Sequence, residues 1–538
     1  MSENGLGQFR ERLDPIDEEI SRLLGERFEI CREVAEFKAA HEIPMMQPER
    51  VVEVCERYLA RGAKAGLPGD FSAELFELLI GATCKLEDEL MDESAPSAGG
   101  DGDGLPPGPE EPEIVQSMRW AREPLPMLEE CRARFGDTFT LRLRHLGSWV
   151  VLSDPEDVKR VFSTDTNDLG VGMPNLALRP VLGAHSVMLS EEPAHMIQRK
   201  LMLPRFHGDR MREDAEAMDE LARREVRSWP SGEPFELWPR MQNLTQEVVM
   251  RAVFGDDEGR LDGLRALLTN LTETINDFDR LWKLALFGPD WLEASPSWRE
   301  AMAPVEEAVL EEARRRLAAG ENGRRDAVSI LVEARHEDGS PLSEKELRDE
   351  LLTLLTDGPT SSSLAWVFER LLRHPEKLRR LQEEVLAGEG DEYLDAVVKE
   401  TLRIRPPVSV VVRRLLKPAT LGGHDLPAGT LIAPCVHLIH HREDVYEAPD
   451  EFRPERFLEQ RASVPTWIPF GGGSRRCLAA SYAEQEMKRV LRVAMEEVEL
   501  EPVESRGEQV ARAAISFSPA DHGLVVAKPL RTPAPQGV

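Results

Sequence analysis

Residues 93–113 read Glu-Ser-Ala-Pro-Ser-Ala-Gly-Gly-Asp-Gly-Asp-Gly-Leu-Pro-Pro-Gly-Pro-Glu-Glu-Pro-Glu, with no periodic apolar positions and a high density of glycine, proline, serine and acid. Such a stretch has too little apolar surface to offset the entropy of ordering, and reads as an extended, disordered linker. The chain has 538 residues, more than one ordinary domain holds, and the linker marks where it divides. Residues 1–92 form one unit and residues 114–538 another.

The first unit reads as three helices. From Leu6 to Ala40, apolar residues recur at helical spacing: Phe9, Leu13, Ile16, Ile20, Leu23, Leu24, Ile30, Val34 and Phe37. A helix that long in so small a unit is expected to be covered in part by a second chain. Pro44 ends the pattern, a second helix is expected from about Pro48 to Ala63, and a third from about Phe71 to Asp92, with Gly66-Leu67-Pro68-Gly69 between them. Three helices of this length bury little core alone, which favours an intertwined homodimer. Cations recur along them: Arg10, Arg27, Lys38 and Arg50. Any one is ordinarily a solvated surface charge. Arg27 lies beside Leu23, Leu24 and Ile30, however, and Lys38 follows Phe37, and a cluster of buried cations requires an anion.

The wording Ile16-Asp17-Glu18-Glu19-Ile20, Leu23-Leu24-Gly25-Glu26-Arg27, Phe37-Lys38 and Pro48-Glu49-Arg50 resembles the all-helical (AroQ-type) chorismate mutase family over the whole unit. The resemblance implies that Arg27, Lys38 and Arg50 bind the dicarboxylate and ether oxygen of chorismate. Arg10 would reach in from the other subunit, and Thr83 and Glu87 would line the site from the third helix. Catalysis there would be preorganised electrostatics on a compact substrate conformer, converting chorismate to prephenate. Gln47 and Val51 stand where the family carries acids for the ring hydroxyl, and Glu87 stands where many members have glutamine. Those departures keep other readings open: an isochorismate-pyruvate lyase, a 4-amino-4-deoxychorismate mutase, or an inactive dimerisation module.

In the second unit, Phe470-Gly471-Gly472-Gly473-Ser474-Arg475-Arg476-Cys477 puts one cysteine in a glycine-rich loop before a helical run from Leu478 to Val493. The positive end of a helix dipole and two arginines favour the thiolate, the metal-ligating form. Glycines let backbone approach a flat ligand closely. A soft thiolate against a planar cofactor points to haem iron. The loop resembles the haem-binding Phe-x-x-Gly-x-Arg-x-Cys-x-Gly of the cytochrome P450 family in every position but the last, where Ala479 stands. Glu400-Thr401-Leu402-Arg403 resembles the Glu-x-x-Arg of its K helix, and Phe452-Arg453-Pro454-Glu455-Arg456-Phe457 its meander, so that Arg456 is expected to complete a buried Glu–Arg–Arg network. The family implies an α-rich fold with small β-sheets, haem b ligated by Cys477, and haem propionates paired with His195, Arg199, Arg413 and Arg475. The whole chain is therefore expected to be mainly α.

One segment departs from the family pattern. The acid and threonine that relay protons to iron-bound dioxygen fall, by position, on Gly358-Pro359 in Thr356-Asp357-Gly358-Pro359-Thr360-Ser361. A mid-helix proline is expected to kink the helix beside the haem. A relay rebuilt from Asp357, Thr360 and water would make this an ordinary monooxygenase. The alternatives are a peroxide-dependent enzyme, or one carrying out a non-oxygenating rearrangement.

The net charge is −31, from 98 acidic and 67 basic residues, which disfavours nucleic acids and anionic membranes as partners. No run of 18 apolar residues occurs and no signal peptide is evident, and the cysteines at 31, 55, 84, 131, 435 and 477 show no Cys-x-x-Cys spacing. A cytoplasmic enzyme with reduced thiols fits best. No flavin, nicotinamide or iron–sulfur motif is evident, so electrons are expected from a ferredoxin or flavodoxin docking on Arg475, Arg476, Lys488, Arg489 and Arg492. The substrate is expected to be a small aromatic or shikimate-derived molecule, in specialised metabolism.

Overall fold

The computed structural model describes residues 4–41, residues 54, 57, 58, 60–68, 72, 75, 76, 79 and 83, and residues 104–530 except 165, 171–172, 207, 256–258, 277, 320–325, 337, 357–358, 389 and 505. The chain divides into two compact units, one of residues 1–105, 109–120 and 142–144 and one of the remainder.

In the first unit, α1 (Asn4–Ala40) continues through Pro15. The described residues between 54 and 64 are helical, a turn follows at Ala65-Gly66, and the described residues from 72 to 83 are again helical. Gly66 takes φ +77°, which a turn of this kind assigns to glycine. Phe76, Leu79 and Ala35 are buried, and the Tyr58 and Phe76 rings lie 5.8 Å apart. The apolar stripe of α1 behaves differently. Phe9, Leu13, Ile16, Ile20, Leu23, Ile30, Val34 and Phe37 are 41–57% exposed, so the described residues do not cover them.

The second unit is helical around one principal sheet. Its strands are β1 (Thr138–Leu143), β2 (Gly147–Leu152), β3 (Leu169–Gly170), β4 (Arg413–Leu415) and β5 (Leu431–Pro434), in the order β1-β2-β5-β4-β3. β2 and β5 pair in parallel, Trp149 opposite Leu431, whereas β4 runs antiparallel to both β5 and β3. Residues 106–108, assigned to the linker by composition, are ordered. Thr140 donates its N–H to the Pro107 carbonyl at 2.9 Å and its hydroxyl to the Pro106 carbonyl at 2.7 Å. A side chain at Gly108 would run into the Thr140 carbonyl, so that close approach requires glycine.

Six helices position the site: α2 (Ala194–Met202), α3 (Leu237–Phe254), α4 (Glu344–Leu355), α5 (Pro359–Leu372), α6 (Glu392–Ile404) and α7 (Ala480–Glu497). One apolar cluster joins Met241 and Leu244 of α3 with Leu364 and Phe368 of α5, Leu394 and Val397 of α6, and Val490 and Leu491 of α7. A second joins Phe254 with Val305, Val309, Leu331, Leu351 and Leu352. α4 opens with a capping box in which the Ser343 hydroxyl accepts the Glu346 N–H and Glu346 reaches back to the Ser343 N–H. It ends at Thr356, with φ −78° and ψ 87°. α5 then begins at Pro359, the first-turn position where a missing N–H leaves no bond unmade. The expected kink within one helix is instead a break into two.

Candidate functional site

The loop ahead of α7 is shaped by its own backbone. The Gly471 N–H bonds the Ile468 carbonyl at 3.0 Å, the Cys477 N–H bonds the Phe470 carbonyl at 2.9 Å, and Gly473–Arg475 form a 3-10 turn. Gly471 and Gly473 take φ of +66° and +69°. A Cβ at Gly472 would lie 2.3 Å from the Phe162 ring, and one at Gly473 2.8 Å from the Phe162 carbonyl. These two glycines therefore serve the packing of the loop on the helix Pro155–Ser163, whereas only Val411 lies near a Cβ placed at Gly471. α7 starts at Ala480, three residues after the cysteine.

Cys477 is accessible, yet burial pushes its thiol upward, while the Ala479 N–H, Arg199 and Arg476 act in the opposite direction. Four further side chains converge nearby. His195 is buried, its Nδ1 2.9 Å from Glu192 Oε1, and burial followed by the field of Arg475 lowers its pKa. Arg199 lies one turn along α2 and is lowered by burial, with Cys477 raising it. Arg413, on β4, is brought down to about 10 by burial and then by Arg475. Arg475 donates from Nη1 to the Ser190 carbonyl at 2.8 Å, while its buried Nη2 has no hydrogen-bond partner; the Glu191 carboxylate stands 4.0 Å away. Arg413 and Arg475 share one crevice with Phe162, Gly472 and Gly473.

Buried cations that depress one another's pKa, one with an orphaned donor, await an anion. Two propionates fit that need, and an accessible thiol within the field of Arg199 fits a haem iron. The five residues singled out for the cofactor are thus brought together. Glu192, which orients His195, and the Ser190 carbonyl, which holds Arg475, were not anticipated; a carboxylate three residues before a histidine on one helix face was the available signal.

The scaffold around the loop includes the expected ion network. Glu400 is fully buried, Arg403 donates from Nε and Nη2 to its two oxygens at 2.8 and 2.9 Å, and Arg456 Nε donates to Oε1 at 3.1 Å. The Arg453 N–H adds a fourth bond at 2.8 Å, and Arg403 Nη1 reaches the His440 carbonyl at 2.7 Å. Thr360 sits half-buried in the first turn of α5, and Asp357 lies outside the described residues.

The expected basic docking patch is not a free one. Lys488 donates to Asp395 at 3.2 Å, Arg489 to Asp219 at 2.8 Å, and Arg492 to Asp391, while Arg475 is held inside the loop. Arg476 stacks over Phe470 and makes no ion pair among the described residues. These cations are neutralised by acids brought in from elsewhere in the chain.

In the first unit, Arg27 Nη1 donates to Thr83 Oγ1 at 2.8 Å, and Thr83 donates in turn to the Leu79 carbonyl at 2.7 Å. Lys38 is half-buried near the end of α1. Arg50 and Glu87, and the side chain of Arg10, lie outside the described residues. Among the described residues no helix is long and apolar enough to cross a membrane.

Comparison with known proteins agrees with this geometry. Residues 106–519 match the cytochrome P450 family model, and residues 9–88 match chorismate mutase type II. Cytochrome P450 135B1 of Mycobacterium tuberculosis is 39% identical over 419 residues, covering 76% of this chain and 88% of that protein. Cytochrome P450 138 of Mycobacterium bovis is 34% identical over 432 residues, covering 78% and 96%. Among solved structures, retinoic acid-bound cyanobacterial CYP120A1 superposes with a TM-score of 0.71 at 21% identity, covering 80% of this chain and all of that one. The haem domain of cytochrome P450DA gives 0.68 at 22% identity, covering 79% and 98%.

Proposed function

The chain belongs to the cytochrome P450 family, with a chorismate mutase type II domain ahead of the oxidase, and on that premise we propose that Cys477 is the haem-iron ligand of a monooxygenase acting on a small aromatic or shikimate-derived molecule. The family brings a cysteine-ligated haem, a small-molecule substrate and a redox partner. Bound haem supplies the dioxygen chemistry. The residues of this chain would bind and orient it: Arg199, Arg413 and Arg475 would neutralise the propionates with His195 as a hydrogen-bonding partner, and Arg199 and Arg476 favour the thiolate of Cys477. The observation that carries this reading is the unmet Nη2 of buried Arg475 beside Arg413. In this reading Asp357 and Thr360 are the groups that would hand on protons from water, Thr360 from the first turn of α5. Electrons come from an external ferredoxin or flavodoxin.

The N-terminal domain converts chorismate to prephenate in a homodimer. The Arg27–Thr83 bond supports a site built between the first and third helices, and the exposed stripe of α1 supports a second chain packed against it. Arg10 of that second chain would join Arg27, Lys38, Arg50, Thr83 and Glu87. The test is a product assay of the full-length protein with chorismate, isochorismate and 4-amino-4-deoxychorismate. Prephenate from chorismate is the expected result; salicylate from isochorismate, or no turnover of any of the three, would replace it with the lyase or a silent dimeriser.

A further inference from the structure

α4 carries a carboxyl group that the reading above does not use. Glu350 is 2% exposed; Oε2 accepts the Val187 N–H at 3.4 Å, and Oε1 has no hydrogen-bond partner. Its neighbours Leu347, Leu351 and Leu352 are buried in the apolar core. A buried carboxyl oxygen left unmet is unfavourable, and a ligand that supplies its partner relieves that cost.

The position of this oxygen follows from the loop beside it. Asp349 accepts the His185 N–H at 2.8 Å, Thr353 donates to the Ser186 hydroxyl at 2.7 Å, and Val187 meets Glu350 itself. Three residues farther on, the Ser190 carbonyl receives Arg475 Nη1. The contacts of Glu350 and of Arg475 therefore fall on one short loop, three residues of chain apart. The local field is negative. Asp349 and Glu346 both add to the burial that raises Glu350 to about 8. The nearby cation, Arg348, is engaged by Asp349 and by Glu306 of the helix Pro296–Ala319. The loop contributes only its backbone N–H to Glu350.

We propose that Glu350 is the polar anchor for substrate beside the haem, and that it selects a molecule carrying a basic amine. This rests on the haem-pocket reading given above. A neutral amine entering the site takes the Glu350 proton, and one entering protonated displaces that proton to solvent. In both cases an ammonium–carboxylate pair replaces an unmet acid. A hydrocarbon leaves Oε1 unmet, and a carboxylate meets the field of Asp349 and Glu346.

The test uses haem-loaded full-length protein, first shown to give the thiolate-type absorption band with carbon monoxide after reduction. It is titrated spectrally with N,N-dimethylphenethylamine and with isopentylbenzene, its uncharged isostere. The amine is expected to bind at least about tenfold more tightly, and Glu350→Gln to erase that preference while keeping the carbon monoxide band. In infrared difference spectra of the unaltered protein, amine binding is expected to bleach a protonated-carboxyl band, a readout that does not require the variant to fold. Equal affinity for the two probes, a preference that survives in Glu350→Gln, or a carboxyl band untouched by the amine each overturns the proposal. Loss of the carbon monoxide band in the unaltered protein would instead remove the haem reading beneath it.

Discussion

Arg27 donates to Thr83 Oγ1 at 2.8 Å, joining the first helix to a residue 56 positions later. A guanidinium held by a hydroxyl arrives oriented at its substrate, and preorganisation of that kind is where electrostatic catalysis gains its advantage. Arg27→Ala is expected to lower chorismate turnover by about 10²–10³. Thr83→Ser should retain most activity and Thr83→Ala should lose part of it, through KM more than kcat. Steady-state kinetics on prephenate formation check this, and indifference to Arg27→Ala would remove the residue from the site.

Cys477 and Arg475 make different demands on the cofactor, so their variants should fail differently. Cys477→Ala is expected to abolish the thiolate-type carbon monoxide band outright. Arg475→Leu should keep the band but release haem to a scavenger protein at least about tenfold faster, because Nη2 then no longer meets a propionate. Equal release rates would show that the orphaned donor serves something other than the cofactor.

The thiolate loop is legible in sequence because its chemistry is local: cysteine, two arginines and the start of α7 lie within a few residues. Glu400 and Arg403 are legible because a spacing of three places them on one helix face. What resists reading is whatever depends on distant chain. Lys488, Arg489 and Arg492 suggest a basic face until Asp395, Asp219 and Asp391 are folded onto them. The glycines of the loop imply room for a ligand, whereas Gly472 and Gly473 make room for Phe162. A proline in a helical pattern predicts a disturbance but not its extent, and the chain resolves it by starting a new helix at Pro359. Glu350 is legible in part, as an acid set among Leu347, Leu351 and Leu354 on an apolar face.

Glu400 compensates two buried guanidinium groups at once. Removing its charge leaves Arg403 and Arg456 uncompensated in the interior, a change that typically costs about 3–5 kcal/mol. Glu400→Gln is therefore expected to lower the thermal midpoint steeply and to reduce haem content on purification. A variant with unaltered melting and full haem occupancy would show that the backbone carbonyls around Arg403 suffice.

The exposed stripe of α1 predicts an assembly. Ile16→Glu with Leu23→Glu places two charges in a face that a second chain would have to desolvate. Sedimentation should shift from dimer to monomer, chorismate turnover should fall with loss of the partner's contribution, and the carbon monoxide band should be unaffected. A wild-type protein that sediments as a monomer at every concentration would contradict this outright.

Glu350 also makes a prediction about stability that does not depend on any ligand. Its carboxyl titrates at about 8 in the folded protein against an ordinary 4.5, the shift arising from burial first and then from Asp349 and Glu346. Between those limits the folded chain keeps a proton that the unfolded chain has released, so stability falls as pH rises from 4.5 toward 8. That interval bounds the effect at roughly 5 kcal/mol. Glu350→Gln carries no such proton. It should match the unaltered protein near pH 4.5 and become progressively more stable than it toward pH 8, measured as the difference in thermal midpoint across the range. A difference that stays constant with pH would mean that Glu350 is ionised in the folded state, and its unmet oxygen would then have to be explained by a cation already present.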